Sequence, residues 1–348
     1  MREDPTDSAA EGFTAGTGSE PLTAAVGERV SFATDGTPAA GFLRRNRGLA
    51  IWLVLLVEAL VWTVSAPEFL SVRNITDILR QGSLQGIVAV GGTFVLLTGE
   101  IDLTVGSLTG FAGIVAAGIM TRVDNTALGI TIAIGIGLLS GLAVGLMTTR
   151  ARVPSFIVTL AGLEILAALT LLFANGATIP ITNAAFQWFG IGYIGPVPIP
   201  VYVMIGVYVV GWLLLTQTTF GRRTYAVGGN RAAAQYSGIN IQRHIVSVFA
   251  LAGVITGIGA ILIAGRLASA SPLTGQGLEL QVIAAIVVGG TSLFGGSGSL
   301  LGTLAGVLII AVLQNGLTLI NISSFWQQFA IGVVILVAVT VDRALKRA

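Results

Sequence analysis

The sequence contains no cysteine, so disulfides, iron–sulfur ligation and thiol catalysis are unavailable to it. Its one histidine, His244, cannot build a multi-histidine metal site, and no metal site is expected. Its sole lysine, Lys346, stands near the carboxyl end, which excludes a GxxxxGK[ST] phosphate loop and therefore ATP binding through a P-loop of its own. Charge is scarce, with 10% of residues Asp, Glu, Lys or Arg, against roughly 25% in soluble domains. The clustered His, Cys, Asp or Ser constellations that membrane enzymes use are missing, so no catalytic residue is assigned and no nucleic-acid partner is expected.

What fills the chain is apolar: 54% of residues are hydrophobic and the mean hydropathy is +0.89. That composition defines an integral membrane protein embedded in a lipid bilayer. Apolar runs long enough for a hydrocarbon layer of about 30 Å occur near 48–66, 83–98, 104–121, 127–149, 154–175, 198–216, 244–265, 279–294, 299–319 and 325–342. The expected fold is all-α and polytopic, with about ten transmembrane helices. The runs 83–98 and 279–294 reach only about 24 Å as straight helices. Both end in glycine-rich sequence, so short or broken helices are expected there, where irregular backbone must face protein or a watery cavity. Residues 1–41, rich in Ala, Gly, Thr, Ser, Asp and Glu without an apolar period, read as a disordered cytoplasmic tail ahead of a membrane domain at 42–348.

Glycines at 137, 141 and 145, at 253 and 257, and at 298, 302 and 306 follow the small-xxx-small spacing that lets helix backbones approach closely. Tight packing is their expected role. A ValGlyGlyThr string occurs at 90–93 and again at 288–291, an echo between the second and eighth spans that would imply parallel copies. Orientation follows from the arginines. With the amino terminus inside, Arg44, Arg45, Arg47, Arg150, Arg152, Arg222, Arg223, Arg231, Arg243, Arg343, Lys346 and Arg347 are cytoplasmic, while Arg73, Arg80, Arg122 and Arg266 are outside. Both termini are then cytoplasmic. Trp188 and Phe189 in an uncharged loop, and Trp326 opening the last span, fit an outer aromatic belt, and His244 fits the mouth of span seven.

Three groups of residues invite functional readings. Glu58 and Glu164 lie inside apolar runs, where an acidic side chain costs on the order of 2.5 to 3.5 kcal/mol; each is either paired with a neighbouring helix or a proton carrier. Glu100 and Asp102 in TGEIDLTVGS fall between spans, Asp102 as a cap for the next helix or as part of a gate. The segment Gly221–His244 is the longest charged interruption of the apolar region. In it Gly228, Gly229 and Asn230 read as a turn, Ala232–Ser237 as a short helix, and Gly238 as its terminator. Arg222, Arg223, Arg231 and Arg243 surround that helix and suit either an acidic protein cleft or lipid headgroups.

These motifs together resemble the permease subunits of bacterial ABC sugar importers, in the ribose and xylose branch. The resemblance is carried by GEIDLTVGS at 99–107, VPSFIVTLAG at 153–162, FGRRTYAVGGNRAAAQYSGIN at 220–240, GGTSLFGGSGS at 289–299 and SFWQQ at 324–328, and it runs from about residue 48 to the carboxyl end. It implies a pathway formed by two permease subunits, identical or different, in the bacterial cytoplasmic membrane. Two cytoplasmic ATP-binding cassette subunits would power it with ATP and Mg²⁺, and an external sugar-binding protein would deliver the cargo. No cofactor would be bound by this chain. The cytoplasmic loop at 217–243 would couple to the ATPase through Arg222, Arg223, Gly229, Asn230, Ala233, Ala234 and Gly238, with Ala232 where the coupling motif usually has Glu. Glu100, Asp102, Gly106, Pro154, Ser155, Phe156, Glu279, Gly289 and Gly290 are the motif residues expected at the gate. Ribose-type members commonly read GluLeuAsp where this chain has Glu279, Leu280 and Gln281, which keeps hydrogen-bonding capacity and loses the charge.

A neutral sugar needs a polar, uncharged passage, so Thr93, Asn175, Thr182 and Asn315 are its expected lining. The reading is a transport subunit and not an enzyme, moving a monosaccharide, with a pentose such as xylose or ribose foremost. A nucleoside, polyol or branched-chain amino acid is the alternative cargo, and a proton-coupled secondary transporter using Glu58 or Glu164 is the alternative class.

Overall fold

The computed structural model describes residues 47–347, so the expected tail at 1–41 lies outside the described residues. Apart from four two-residue strands, the regular structure of the described residues is helical. Its helices are α1 (Arg47–Ser65), α2 (Val72–Leu97), α3 (Val105–Met120), α4 (Thr126–Arg150), α5 (Ser155–Ala174), α6 (Ala184–Ile191), α7 (Ile199–Gln217), α8 (Thr219–Gly229), α9 (Arg231–Tyr236), α10 (Ile241–Leu267), α11 (Leu278–Val288), α12 (Leu300–Leu319) and α13 (Ser324–Arg347). Helices α4, α5, α7, α10 and α12 are long and apolar enough to cross a membrane, and the apolar stretches of α1, α3, α11 and α13 are shorter. Each of the apolar runs read from the sequence overlaps a helix, from α1 to α5, α7 and α10 to α13.

Local chemistry fixes the boundaries. Ser71, Asn125, Asn183, Thr218, Asn230, Asn240 and Ser299 each cap the following helix by accepting a hydrogen bond from one of its first backbone N–H groups. Asn175 and Ala268 end α5 and α10 in the left-handed conformation, φ 49° at both.

The expected break near 83–98 is absent. α2 is one continuous helix of 26 residues whose first turns carry Asn74, Asp77, Arg80 and Gln81, polar positions that a hydropathy run does not count. The expected short helix near 279–294 is present, since α11 ends at Val288 and the chain then turns through Gly289 and Gly290. Helix α3 is short as well, with 16 residues. Trp188 and Phe189 sit in the short helix α6, stacked edge to face at 5.7 Å, instead of in an irregular loop.

One order of elements occurs twice: a long helix, an irregular connection, a short helix and two further helices, as α2–α5 and again as α10–α13. The copies run in opposite directions. Val88 packs against Gly259 and Gly91 against Ala252, so α2 and α10 are antiparallel. α4 is antiparallel to α10 through Gly137 on Gly253 and Gly145 on Val246, and α12 is antiparallel to α2 through Gly82 on Ala311 and Gly86 on Val307. The repeat is therefore inverted. The ValGlyGlyThr echo does not mark it, because Val90–Thr93 lies within α2 whereas Val288–Thr291 is the end of α11 and its turn.

The glycine seams are packing seams. A Cβ on Gly137, Gly141 or Gly253 would collide with a backbone carbonyl of the facing helix, and one on Gly302 or Gly306 would collide with the Gly289 or Ala285 carbonyl. Gly298 lies before α12 and is crowded by Thr291. Close backbone approach replaces bulky side chains as the source of contact.

Candidate functional site

One end of the helix bundle gathers most of the motif residues. α9 protrudes there as a single six-residue helix. Asn230 caps it, its Oδ1 accepting from the Ala233 N–H at 3.0 Å, and Gly238 follows it at φ +80°, a conformation that suits glycine. The Ile239 N–H returns to the Ala234 carbonyl at 3.1 Å and closes the motif. Ala233 and Tyr236 are exposed, Tyr236 at 91%, whereas Ala234 turns inward and is buried. The helix thus anchors one side and offers the other. Gly228 and Gly229 are the last residues of α8 and not part of a turn; the chain changes direction at Asn230 alone. Arg222 and Arg223 are exposed on α8.

The base of this protrusion is seated on the end of α2 and on the α11–α12 turn, one from each repeat. Gly228 abuts the Leu97 carbonyl and Gly296, closely enough that a Cβ would collide with the carbonyl oxygen, and the Gly296 N–H donates to that carbonyl at 2.9 Å. Tyr225 donates to the Gly298 carbonyl at 2.8 Å, and burial pushes its phenol above the ordinary tyrosine range, which keeps it a neutral donor. Arg231, the first residue of α9, forms an ion pair with Glu100 and lies within reach of the Thr98 carbonyl.

Glu100 begins the connection from α2 to α3, and this connection enters the bundle. Glu100 and Asp102 are loop residues as expected, yet both are buried, at 5% and 7% exposure. Asp102 Oδ1 accepts from the Thr104 N–H at 2.8 Å and from the Thr104 hydroxyl at 2.6 Å, so it braces the residue that opens α3 and not an amide inside the helix. The Ile101 N–H donates to Ser155 Oγ, the Thr159 hydroxyl donates to the Ile101 carbonyl, and Pro154 precedes α5. Phe156 is exposed. The Thr104 methyl lies against Gly162, seven residues into α5, so α3 starts roughly 10 Å inside the bundle.

The α10–α11 connection arrives at the same place from the other end. Gly106 at the start of α3 abuts the Gly275 carbonyl and the Glu279 carboxylate, and Gly110 abuts the Thr274 carbonyl. The starts of the two short helices therefore meet inside the bundle. Glu279 accepts from the Gly277 N–H at 3.2 Å. Gly289 and Gly290 lie at the far end of α11, Gly289 against Gly302 and Gly290 in a turn at φ +85°.

A cavity of about 720 Å³ opens beside the protrusion, walled by Glu100, Arg152, Ser155, Asn230, Arg231 and Gln242 among others. Its wall combines the α2–α3 connection, the α4–α5 turn and the root of α9.

The four residues expected to line a passage are dispersed. Thr93 is fully buried, its hydroxyl 2.8 Å from that of Thr303, and it serves the α2–α12 contact. Asn315 and Asn74 exchange amide hydrogen bonds at 2.7 and 2.9 Å, which ties α12 to α2. Thr182 and Asn175 are exposed at the other end of the bundle. His244 is buried and within 3.0 Å of the Thr224 hydroxyl, so it belongs to the α8–α10 contact and not to an interface with lipid. Glu58 is half-buried on α1 with one oxygen unpartnered, and Glu164 is exposed on α5.

Two contacts escaped sequence reading. One is the Arg231–Glu100 pair, whose members were each conspicuous but stand 131 positions apart. The other is an interior amide cluster, in which Gln85 donates to Gln281 at 2.6 Å and to Gln314 at 3.2 Å, while Gln81 donates to Gln314 at 3.1 Å. Gln281 thus uses its neutral amide on a neighbouring helix.

The family model for the permease component of branched-chain amino acid transport systems matches residues 74–339. The ribose import permease of Bacillus subtilis strain 168 is 42% identical, the match covering 85% of this chain and 92% of that protein. The L-arabinose ABC transporter permease of Azospirillum brasilense is 38% identical over 84% and 86% of the two chains. The xylose transport permease of Escherichia coli K12 is 33% identical over 89% and 96%. No solved structure matches the chain.

Proposed function

The chain belongs to the permease-component family of branched-chain amino acid transport systems, and on that premise we propose that it is the membrane subunit of an ATP-driven importer of a monosaccharide, with ribose or xylose the foremost cargo. The observation that carries the reading is α9, a protruding helix with one buried and one exposed side, rooted by Gly228 and Arg231 on the end of α2, the α2–α3 connection and the α11–α12 turn. Such a helix is suited to sit in a cleft of a separate ATPase and pass its movement inward. That end of the bundle carries Arg150, Arg152, Arg222, Arg223, Arg231 and Arg243, and the opposite end Arg73, Arg80, Arg122 and Arg266, a positive-inside bias that supports a cytoplasmic α9.

In this mechanism closure of two ATPase subunits pushes α9. Arg231 transmits the push through Glu100 to the connection that carries Asp102 and the start of α3. Gly228 transmits it to the end of α2 and to the α11–α12 turn. ATP and Mg²⁺ are handled by the partner ATPase, a second permease subunit completes the pathway, and an external binding protein presents the sugar. The pentose assignment rests on relatives named for ribose, arabinose and xylose. The family description supports a second cargo class, a branched-chain amino acid.

The test is affinity purification of the tagged chain from native membranes, with identification of stoichiometric partners and assay of ATP hydrolysis against panels of sugars and amino acids. An ATPase and a binding protein that responds to a pentose are expected. Ala234→Glu, which places a carboxylate on the buried side of α9, is expected to cut solute-stimulated hydrolysis at least about ten-fold. Recovery of a lone polypeptide that transports without ATP would overturn the reading, and stimulation by a branched-chain amino acid alone would replace the cargo.

A further inference from the structure

The cavity beside α9 holds more hydrogen-bond donors than the chain itself satisfies. Two arginines stand in its wall, Arg152 on the α4–α5 turn and Arg231 at the root of α9, against one carboxylate, Glu100, which Arg231 already holds. Arg152 is exposed and has no ion-pair or hydrogen-bond partner among the described residues. Its backbone lies at φ 55°, a conformation that disfavours arginine and suits glycine. Such strain collects at functional positions.

Ser155 opens α5 in the same wall and is buried, at 6% exposure. Its Oγ accepts from the Ile101 N–H at 3.2 Å, and among the described residues its hydroxyl proton has no acceptor. No side chain caps α5, so the first N–H groups of this 20-residue helix are open at that place as well. Thr148, also in the wall, keeps its hydroxyl buried without a partner, whereas the neighbouring Thr149 donates to the Gly145 carbonyl. Buried polar groups without partners are uncommon and call for one. Each of these groups can donate, so the partner they lack is an acceptor, and the unpaired guanidinium gives it negative charge.

We propose that this cavity is a binding site for a phosphate ester, held by the Arg152 guanidinium, the Ser155 hydroxyl and the start of α5. A planar guanidinium and an open helix start are the groups that suit phosphoryl oxygens. The cavity, at about 720 Å³, is far larger than inorganic phosphate and leaves room for an esterified body, a sugar or a lipid headgroup. Gln242, exposed in the wall, offers an amide to the hydroxyls of that body. The inference rests on the permease reading, which places this end of the bundle in the cytoplasm, and it adds a regulation to that reading. A phosphate bound here competes with Glu100 for Arg231 and so loosens the link from α9 to the α2–α3 connection. An occupied site therefore lowers the coupling of ATP hydrolysis to transport.

The test uses the full-length chain in nanodiscs of zwitterionic lipid, titrated by calorimetry with ribose 5-phosphate, inorganic phosphate and ribose, and repeated in nanodiscs containing phosphatidylglycerol, whose retention is read by mass spectrometry. Binding of the sugar phosphate and none of ribose is expected, with affinity at least about ten-fold lower in Arg152→Gln and Arg152→Gly and unchanged in Arg73→Gln at the other end of the bundle. Glycine suits φ 55°, so the melting temperature of Arg152→Gly is expected to hold or rise, which separates lost binding from lost fold. Sugar phosphate bound in both kinds of nanodisc identifies a soluble ester. Exclusion of the sugar phosphate by phosphatidylglycerol, with lipid retention that depends on Arg152, identifies a headgroup. Absence of any bound ester, or equal binding in Arg152→Gln, would overturn the site. In the importer co-purified with its ATPase, the bound ester is expected to lower solute-stimulated hydrolysis several-fold, and to leave hydrolysis by Arg152→Gln unaltered; binding without that effect would overturn the regulation. The binding readout needs neither ATPase nor transport. Arg152-dependent binding to a chain that co-purifies with no ATPase would sink the permease reading and leave this site in place, whereas an intact importer that binds no ester would sink the site alone.

Discussion

In the first repeat the connection from α2 to α3 is short, buried and pinned, with Glu100 held by Arg231 and Asp102 by Thr104. In the second repeat the connection from α10 to α11 is longer and open, with Leu273 at 67% exposure and turns at Gly275 and Gly277, φ +89° and +80°. Its tether is at the opposite end of the bundle, where Ser269–Ala270 pairs with Ile179–Pro180. The same element order therefore carries two differently held connections. The first lies against the root of α9, and the second is fastened at the opposite end of the bundle.

The comparison can be broken at four places, in falling order of effect. Gly137→Leu drives a side chain into the Gly253 backbone and separates the repeats along the α4–α10 seam. The expected loss is about 3 kcal/mol or more, read as failure to recover a monodisperse protein after detergent extraction. Gly228→Ala places a Cβ against the Leu97 carbonyl; a cost of about 2 kcal/mol and at least a ten-fold loss of stimulated ATP hydrolysis in the co-purified importer are expected. Glu100→Gln removes the charge paired with Arg231. Because Arg231 is half exposed, a coupling of about 1 kcal/mol is expected, measured by a double-mutant cycle with Arg231→Ala, with hydrolysis lowered several-fold. Gly277→Ala, where a Cβ meets open space but φ is positive, should cost about 1 kcal/mol and change hydrolysis less than two-fold. Equal effects of Gly228→Ala and Gly277→Ala on hydrolysis would erase the distinction between the repeats.

Much of this was legible in the string and some was not. The apolar runs located the helices, and Asn230 and Gly238 located α9, because caps and terminators act over a few residues. The extent of α2 was not legible, since Asn74, Arg80 and Gln81 are satisfied by neighbours far away in sequence, Asn74 by Asn315, Arg80 by Tyr193 and Gln81 by Gln314. The inverted repeat was hidden for a related reason. It is a likeness of element order and contact direction, which four-residue strings such as ValGlyGlyThr do not carry. Thr93 and Asn315 were conspicuous as polar residues, but polarity does not say which face of a helix a residue occupies, and both serve helix contacts.

The meeting of the two short helices has an electrostatic consequence. Each helix start carries about half a positive elementary charge from its aligned peptide dipoles, and at α3 and α11 two such starts are brought together inside the bundle. Asp102 beside one and Glu279 within the first turn of the other are the carboxylates placed to offset them. The acidic residues that look like a gate in the sequence thus also belong to the fold, each set at the positive end of a short helix.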